Sequence, residues 1–195
     1  EVLKDDYRHP IPTGIGGIDN LLNGGLAKGE IGVILAPTGV GKTTILTRFA
    51  NTAFNMGYNV LQIFFEDNPK IIQRKHFTCW TGIVPDELSD NKEKVLSKAD
   101  EMKKNGGKLI LKKMASDEFN MTTIKNQIRK VISEGNQVDL VVLDYIDCVI
   151  PDRSFSDEWK GEGSVMRKFE AMCHELNLVG WTATQGNRSS ISSEV

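Results

Sequence analysis

The stretch Ile31-Gly-Val-Ile-Leu-Ala-Pro-Thr-Gly-Val-Gly-Lys-Thr43 begins as an apolar run and ends as a glycine-rich turn. The run from Ile31 to Ala36 has the length and composition of a buried strand. From Ala36 to Thr43 the chain follows the phosphate-cradling P-loop pattern, with Ala36 in place of the usual first glycine. That position asks only for a small side chain. Gly39 and Gly41 allow backbone N–H groups to turn inward around a β-phosphate. Lys42 brings positive charge to the β- and γ-phosphates, and the Thr43 hydroxyl is a ligand for Mg²⁺. A helix from Lys42 to Met56 follows, with Ile45, Leu46, Phe49 and Ala53 inward and Gly57 as its stop. Its positive dipole end faces the same anion. Ala36, Pro37, Thr38, Gly39, Val40, Gly41, Lys42, Thr43 and Thr44 are therefore the expected nucleotide contacts.

Outward from this stretch, strand-like runs alternate with helix-period segments. The runs are Asn59–Phe65, Lys108–Lys113, Val138–Asp144 and Leu178–Thr184. Asn68 and Pro69 open a helix as its N-cap and first helical residue. Lys92–Asn105 reads as a charged helix with Val95, Leu96, Ala99 and Met102 on one face. Met121–Glu134 is expected to bury Ile124, Ile128 and Val131. Gly163–Asn177 is expected to bury Met166, Phe169, Cys173 and Leu176. Such alternation predicts an α/β fold, a mainly parallel twisted sheet flanked by helices on both faces. Ligands of such sheets lie beyond the carboxyl ends of the strands. Residues 1–12 read as a linker and 13–195 as one domain core. Residues 82–107 read as a surface helical insertion whose Lys/Glu mixture is a solvated face.

Three strand tips carry chemistry. Val-Asp-Leu-Val-Val-Leu-Asp144 ends a buried strand on a carboxylate suited to anchor Mg²⁺ through water, with Asp147 a weaker candidate. Glu66 lies just past the second strand and is the candidate base for an attacking water, with Asp67 as fallback and as a helper at the helix start. Gln185 ends the last strand. A neutral amide there can donate to a γ-phosphate oxygen, and departure of that phosphate would release Gly186, Asn187 and Arg188 to move. Glu66, Lys42 and Gln185 are thus the expected catalytic residues, and Thr43 and Asp144 the expected metal ligands. For each acid the plain alternative is a solvated loop or a strand-ending carboxylate.

Composition bounds the class. A length of 195 residues suits one domain with a sizeable core, and 39% hydrophobic residues argue against disorder. The net charge of −2 excludes a polycation, so contact with nucleic acid requires a local patch or an assembly. Cys79, Cys148 and Cys173 have no metal-like spacing and read as reduced thiols, mostly in the core. His9, His76 and His174 form no cluster and read as structural. No signal peptide and no long apolar run is visible, which predicts a cytoplasmic protein without a membrane partner. The chain starts without Met and stops at Val195 just after a motif, which points to an excised domain.

Together these residues resemble the RecA/DnaB superfamily of ATPases, and most closely its hexameric replicative helicases, bacterial and phage. The resemblance covers almost the whole chain. The opening IPTGIGGIDNLLNGGLAKGE, the FFEDNPKIIQRK segment with Arg74, the VVLDYIDCV strand and TATQGNR all have counterparts in that family. TATQGNR is similar to the bacterial Gln-Leu-Asn-Arg motif, with Gly186 in place of Leu, and to a phage Trp-Thr-Ala-Ala-Gln form. The resemblance implies a RecA-like P-loop fold, ATP with Mg²⁺, and a homo-oligomer, usually a ring of six. It also implies that single-stranded DNA threads the channel, that the motor unwinds duplex, and that primase or a helicase loader are possible partners. The family's arginine finger normally lies beyond the segments present here, so the piece is expected to bind nucleotide better than it turns it over.

The family's DNA loops correspond to about Pro151–Ser164 and Arg188–Val195. Arg153, Lys160 and Arg188 are the available cations, with Phe155 and Trp159 as stacking candidates. Asp152, Asp157, Glu158 and Glu162 stand among them and weaken the field. A nucleotide-gated binding module with lost turnover remains open if Glu66 is misplaced, and two enzymatic rivals remain open on the same fold. One is a strand-exchange recombinase. The other is a clock-type ATPase that does not act on DNA, which shares the Thr-Gly opening and paired acids after the second strand.

Overall fold

The computed structural model describes residues 8–114, 119–152 and 158–186. Five strands, β1 (Ile31–Leu35), β2 (Val60–Phe64), β3 (Leu109–Lys113), β4 (Leu140–Asp144) and β5 (Val179–Thr184), form one sheet in the order β1-β5-β4-β2-β3. Every pairing is parallel. The helices are α1 (Gly16–Leu21), α2 (Lys42–Asn55), α3 (Pro69–Thr81), α4 (Lys92–Asn105), α5 (Met121–Ser133) and α6 (Glu158–Glu175). Short 3-10 turns occupy Pro85–Glu87 and Ile146–Cys148.

Two apolar layers follow from strand alternation. Leu61, Ile63, Val141 and Leu143 point to the side where α5 and α6 supply Ile124, Ile128, Phe169 and Cys173. Val60, Leu140, Val142, Trp181 and Ala183 point to the other side, against Leu46, Phe49, Ala50 and Phe54 of α2. Phe49 and Trp181 meet at 4.6 Å between ring centroids. Each fully buried side chain of this size contributes roughly 1.5–3 kcal/mol relative to exposure. The sheet is thus packed on both faces.

Helix boundaries follow local chemistry. Asn68 accepts the Lys70 N–H at 2.9 Å and Pro69 takes the first turn, so Asn68 caps α3. Asp67 does not cap: its carboxylate reaches Lys75 of α3 at 3.4 Å instead. Arg74 donates to the Pro85 carbonyl, tying α3 to the turn before α4. On α4, Val95 and Ala99 are buried and Met102 is partly so, whereas Leu96 is exposed. On α6, Phe169 and Cys173 are buried along with Val165 and Met172, while Met166 and, just past the helix end, Leu176 are only partly covered.

The α6 helix starts at Glu158, five positions before the expected Gly163. Gly161 and Gly163 hide the pattern, since each lowers helix propensity by ~1 kcal/mol. Trp159 to Glu162, expected in a loop, are therefore helical.

Part of the expected linker lies on the core. Ile11 is buried and exchanges backbone hydrogen bonds with Leu26, and Arg8 pairs with Glu30 at 2.6 Å. Behind it the Asp19 carboxylate accepts from Thr13 N and Thr13 Oγ1, both at 2.7 Å, and from Gly14 N at 3.0 Å. No helix among the described residues is long and apolar enough to cross a membrane.

Candidate active site

The pairing register brings the expected residues to one rim. Leu35 lies opposite Thr184, and Phe64 lies opposite Asp144. Ala36 N donates to the Thr184 carbonyl at 3.2 Å, so the P-loop starts beside the tip of β5. Gly39 and Gly41 stand at φ of 82° and 99°. Around Gly39 a Cβ would meet nothing within 4 Å, so these positions need glycine for the turn itself and not for space inside the chain. Gly41 is the N-cap of α2 and no side chain caps that helix, which leaves its first N–H groups directed at the loop. Thr38, Val40 and Thr44 are exposed around it.

Lys42 is buried and donates to the carbonyls of Ala36 and Pro37 at 3.1 and 3.3 Å. Its Nζ lies 5.5 Å from the centre of the Tyr145 ring. Thr43 Oγ1 donates to Asp144 Oδ1 at 3.2 Å, across 101 positions of sequence. Asp144 is only 5% exposed. Burial, with the nearby charges of Asp67 and Glu66, pushes its carboxyl up to about 6, against the pull of Thr43 and Lys75. A buried acid with one close donor and acidic neighbours is short of positive charge. Among the described residues no group of three or more His, Cys, Asp or Glu forms a metal cage. A hydroxyl and one carboxylate are the small donor set that suits Mg²⁺, which keeps waters and shares the phosphates of its substrate. The residues present therefore fit a magnesium-bound polyphosphate.

The remaining groups meet on a residue that sequence reasoning does not single out. Tyr145 hydroxyl donates to Glu66 Oε1 at 3.2 Å and accepts from Gln185 Nε2 at 3.0 Å. Glu66 and Gln185 are both accessible at the rim. Lys113, at the end of β3, donates to the carbonyls of Glu66 and Asp67, each at 3.0 Å, and so fixes the loop that carries the acids. Asp147 does not face the P-loop. Its carboxylate accepts from Thr184 Oγ1 at 2.6 Å and from Gln185 N at 2.7 Å, which pins the tip of β5. The signal for Tyr145 is present in the sequence: a phenol directly follows the aspartate at a strand tip, where the apolar run breaks.

The expected DNA contacts fare differently. Arg153 and Arg188 lie outside the described residues, as do Phe155 and Asn187. Lys160 is on the first turns of α6, with its Nζ 5.3 Å from the centre of the Trp159 ring. Trp159 itself is 69% exposed. His76 is structural, buried between Asn51 Nδ2 and Gln62 Oε1, each at 2.9 Å. Of the thiols, Cys173 is buried and Cys79 and Cys148 are half-buried.

A family model described as "ATPase: KaiC" matches residues 11–183. A DnaB-like replicative helicase of Enterobacteria phage T4 is 23% identical over 190 residues, covering 91% of this chain and 40% of that protein. The chain thus spans about two fifths of that relative's length. Among solved structures, a DnaB-like replicative helicase studied with primase has a TM-score of 0.79 at 16% identity, covering 95% of this chain and 45% of that one. A second solved structure, of an ATPase domain, has the same score and identity, covering 97% of this chain and 68% of that one. The structural likeness shows a RecA-like fold.

Proposed function

We propose that this chain, which belongs to the KaiC ATPase family, is the ATP-hydrolysing motor domain of a replicative DNA helicase. The observation that carries the reading is the convergence at one sheet rim. Thr43 meets Asp144 at 3.2 Å beside Lys42, and one residue further Glu66 and Gln185 meet on Tyr145. The helicase reading is supported by the phage T4 relative and by the match along nearly all of this chain.

In this reading the P-loop N–H groups and Lys42 hold the polyphosphate, and Thr43 and Asp144 hold Mg²⁺. The metal supplies positive charge across the phosphate oxygens. Glu66 takes the proton of the attacking water. Gln185 donates its amide to a terminal phosphate oxygen, and the segment after β5 responds when that bond is lost. Single-stranded DNA is the track, and a ring of identical subunits, in the family's usual number of six, carries the nucleotide between neighbours. Lys160, Arg153 and Arg188 are proposed as cations facing the DNA backbone.

The family model favours a second reading: a clock-type ATPase that does not act on DNA. ATP hydrolysis by the full-length protein, measured with and without single-stranded DNA and followed by duplex unwinding, separates the two. Stimulation with unwinding supports the motor. No response to DNA supports the clock-type enzyme, and stimulation without unwinding supports a recombinase.

A further inference from the structure

Tyr145 is placed to do more than fill space. Its ring packs against the α2-side core and lies beneath Lys42. It is the fixed member of a three-residue chain whose two outer members, Glu66 and Gln185, stand at the accessible rim. A single oxygen serves both: it donates to the Glu66 carboxylate and accepts from the Gln185 amide. Asp147, two positions on, grips the backbone N–H of Gln185 at 2.7 Å. With its backbone pinned, Gln185 reaches a phosphate by turning its side chain, and that turn breaks its bond to Tyr145.

The geometry points to Tyr145 as a positioning residue: its hydroxyl holds Glu66 back from water until Gln185 leaves for the phosphate. The inference rests on the reading of Glu66 as base and Gln185 as sensor. The physical link is polarisation along a hydrogen-bond chain. A phenol that accepts a bond from an amide is a stronger donor to the next carboxylate. While Gln185 is in place, Tyr145 holds Glu66 through a long hydrogen bond of 3.2 Å. When the amide turns away the phenol becomes a weaker donor, and Glu66 is freed to accept the water's proton. The same device makes the base answer to the phosphate sensor, so that hydrolysis waits until the substrate's last phosphate is engaged.

The test is Tyr145→Phe in the full-length protein, which removes the hydroxyl and keeps the ring under Lys42. Steady-state MgATP turnover without DNA should rise about tenfold, the order expected when one hydrogen bond to a charged group is removed. KM for MgATP should stay within about twofold. A merely structural tyrosine would lower kcat when trimmed. A kcat that is unchanged or lower in Tyr145→Phe, or a KM that moves in step with kcat, overturns the proposal. Glu66→Gln distinguishes the layers. If it abolishes turnover while Tyr145→Phe changes nothing, only the restraint is wrong. If Glu66→Gln leaves turnover intact, the reading of the site has failed as well.

Discussion

Asp139 and Asp144 bracket the same strand, and both are 5% exposed, yet their surroundings are opposite. Asp139 precedes β4 at the amino rim. It accepts from Asn59 N at 2.9 Å, Asn59 Nδ2 at 3.1 Å and Gln137 Nε2 at 2.9 Å, with Lys28 at 3.4 Å. Burial raises its pKa, but these donors outweigh burial and the net shift is downward. Asp144 ends β4 at the carboxyl rim, with the Thr43 hydroxyl as its close donor and acids nearby, and its net shift is upward. The amino-rim acid is satisfied by the chain and closes the fold. The carboxyl-rim acid has one close donor among the described residues, and under the proposed function a magnesium-bound nucleotide would supply further positive charge. Burial alone does not distinguish structure from function; the completeness of the hydrogen bonding does.

The two acids should respond oppositely to the same substitution. Asp144→Asn should reduce Mg²⁺-dependent ATP turnover by about 100-fold or more. In Mg²⁺-free buffer at pH 8 it should also raise stability by ~1 kcal/mol, by removing a buried charge that has one close donor and acidic neighbours. Asp139→Asn should lower stability by about 1–3 kcal/mol, because buried donors lose a charged acceptor, and the folded fraction should turn over ATP normally. Chemical denaturation with a turnover assay on both variants checks this. If Asp144→Asn destabilises the protein as much as Asp139→Asn does, the contrast is broken.

A smaller effect sharpens the contrast from inside the sheet. On β2, Gln62 lies four positions before Glu66 but is fully buried, bonded through His76 to Asn51. Burial lowers the His76 pKa to about 4. An unfolded histidine has a pKa of about 6.5, so between those values the unfolded chain binds a proton that the fold refuses. Stability should therefore be full above pH 6.5 and fall with pH, by ~2 kcal/mol at pH 5 from this group alone. Melting curves at pH 5 and 7.5 measure it. His76→Gln should reduce that pH difference by a similar amount, and an unchanged difference would remove His76 from the account.

Most of the sheet is legible because its strands are short apolar runs between helix-period segments. The P-loop, Asp144 and the capping pair Asn68 and Pro69 are local signals that sequence carries directly. The contacts that organise the rim are not local. The Thr43–Asp144 pair spans 101 positions and the Tyr145–Glu66 pair spans 79. Tyr145 escapes sequence reasoning because a tyrosine after a strand reads as packing, and its partners are fixed only by strand order. Asp147 is misdirected for the same reason: spacing from Asp144 suggests a metal, while the position of β5 gives it Thr184 and Gln185. The first turn of α6 is hidden by two glycines whose local cost the surrounding packing overrides.

The most direct test of the central claim, that the carboxyl rim is a reaction site and not another structural knot, is hydrolysis of saturating MgATP by Glu66→Gln, with nucleotide affinity measured on the same sample. The account predicts affinity within about threefold of the wild type and hydrolysis reduced at least ~100-fold. Hydrolysis at the wild-type rate would contradict it.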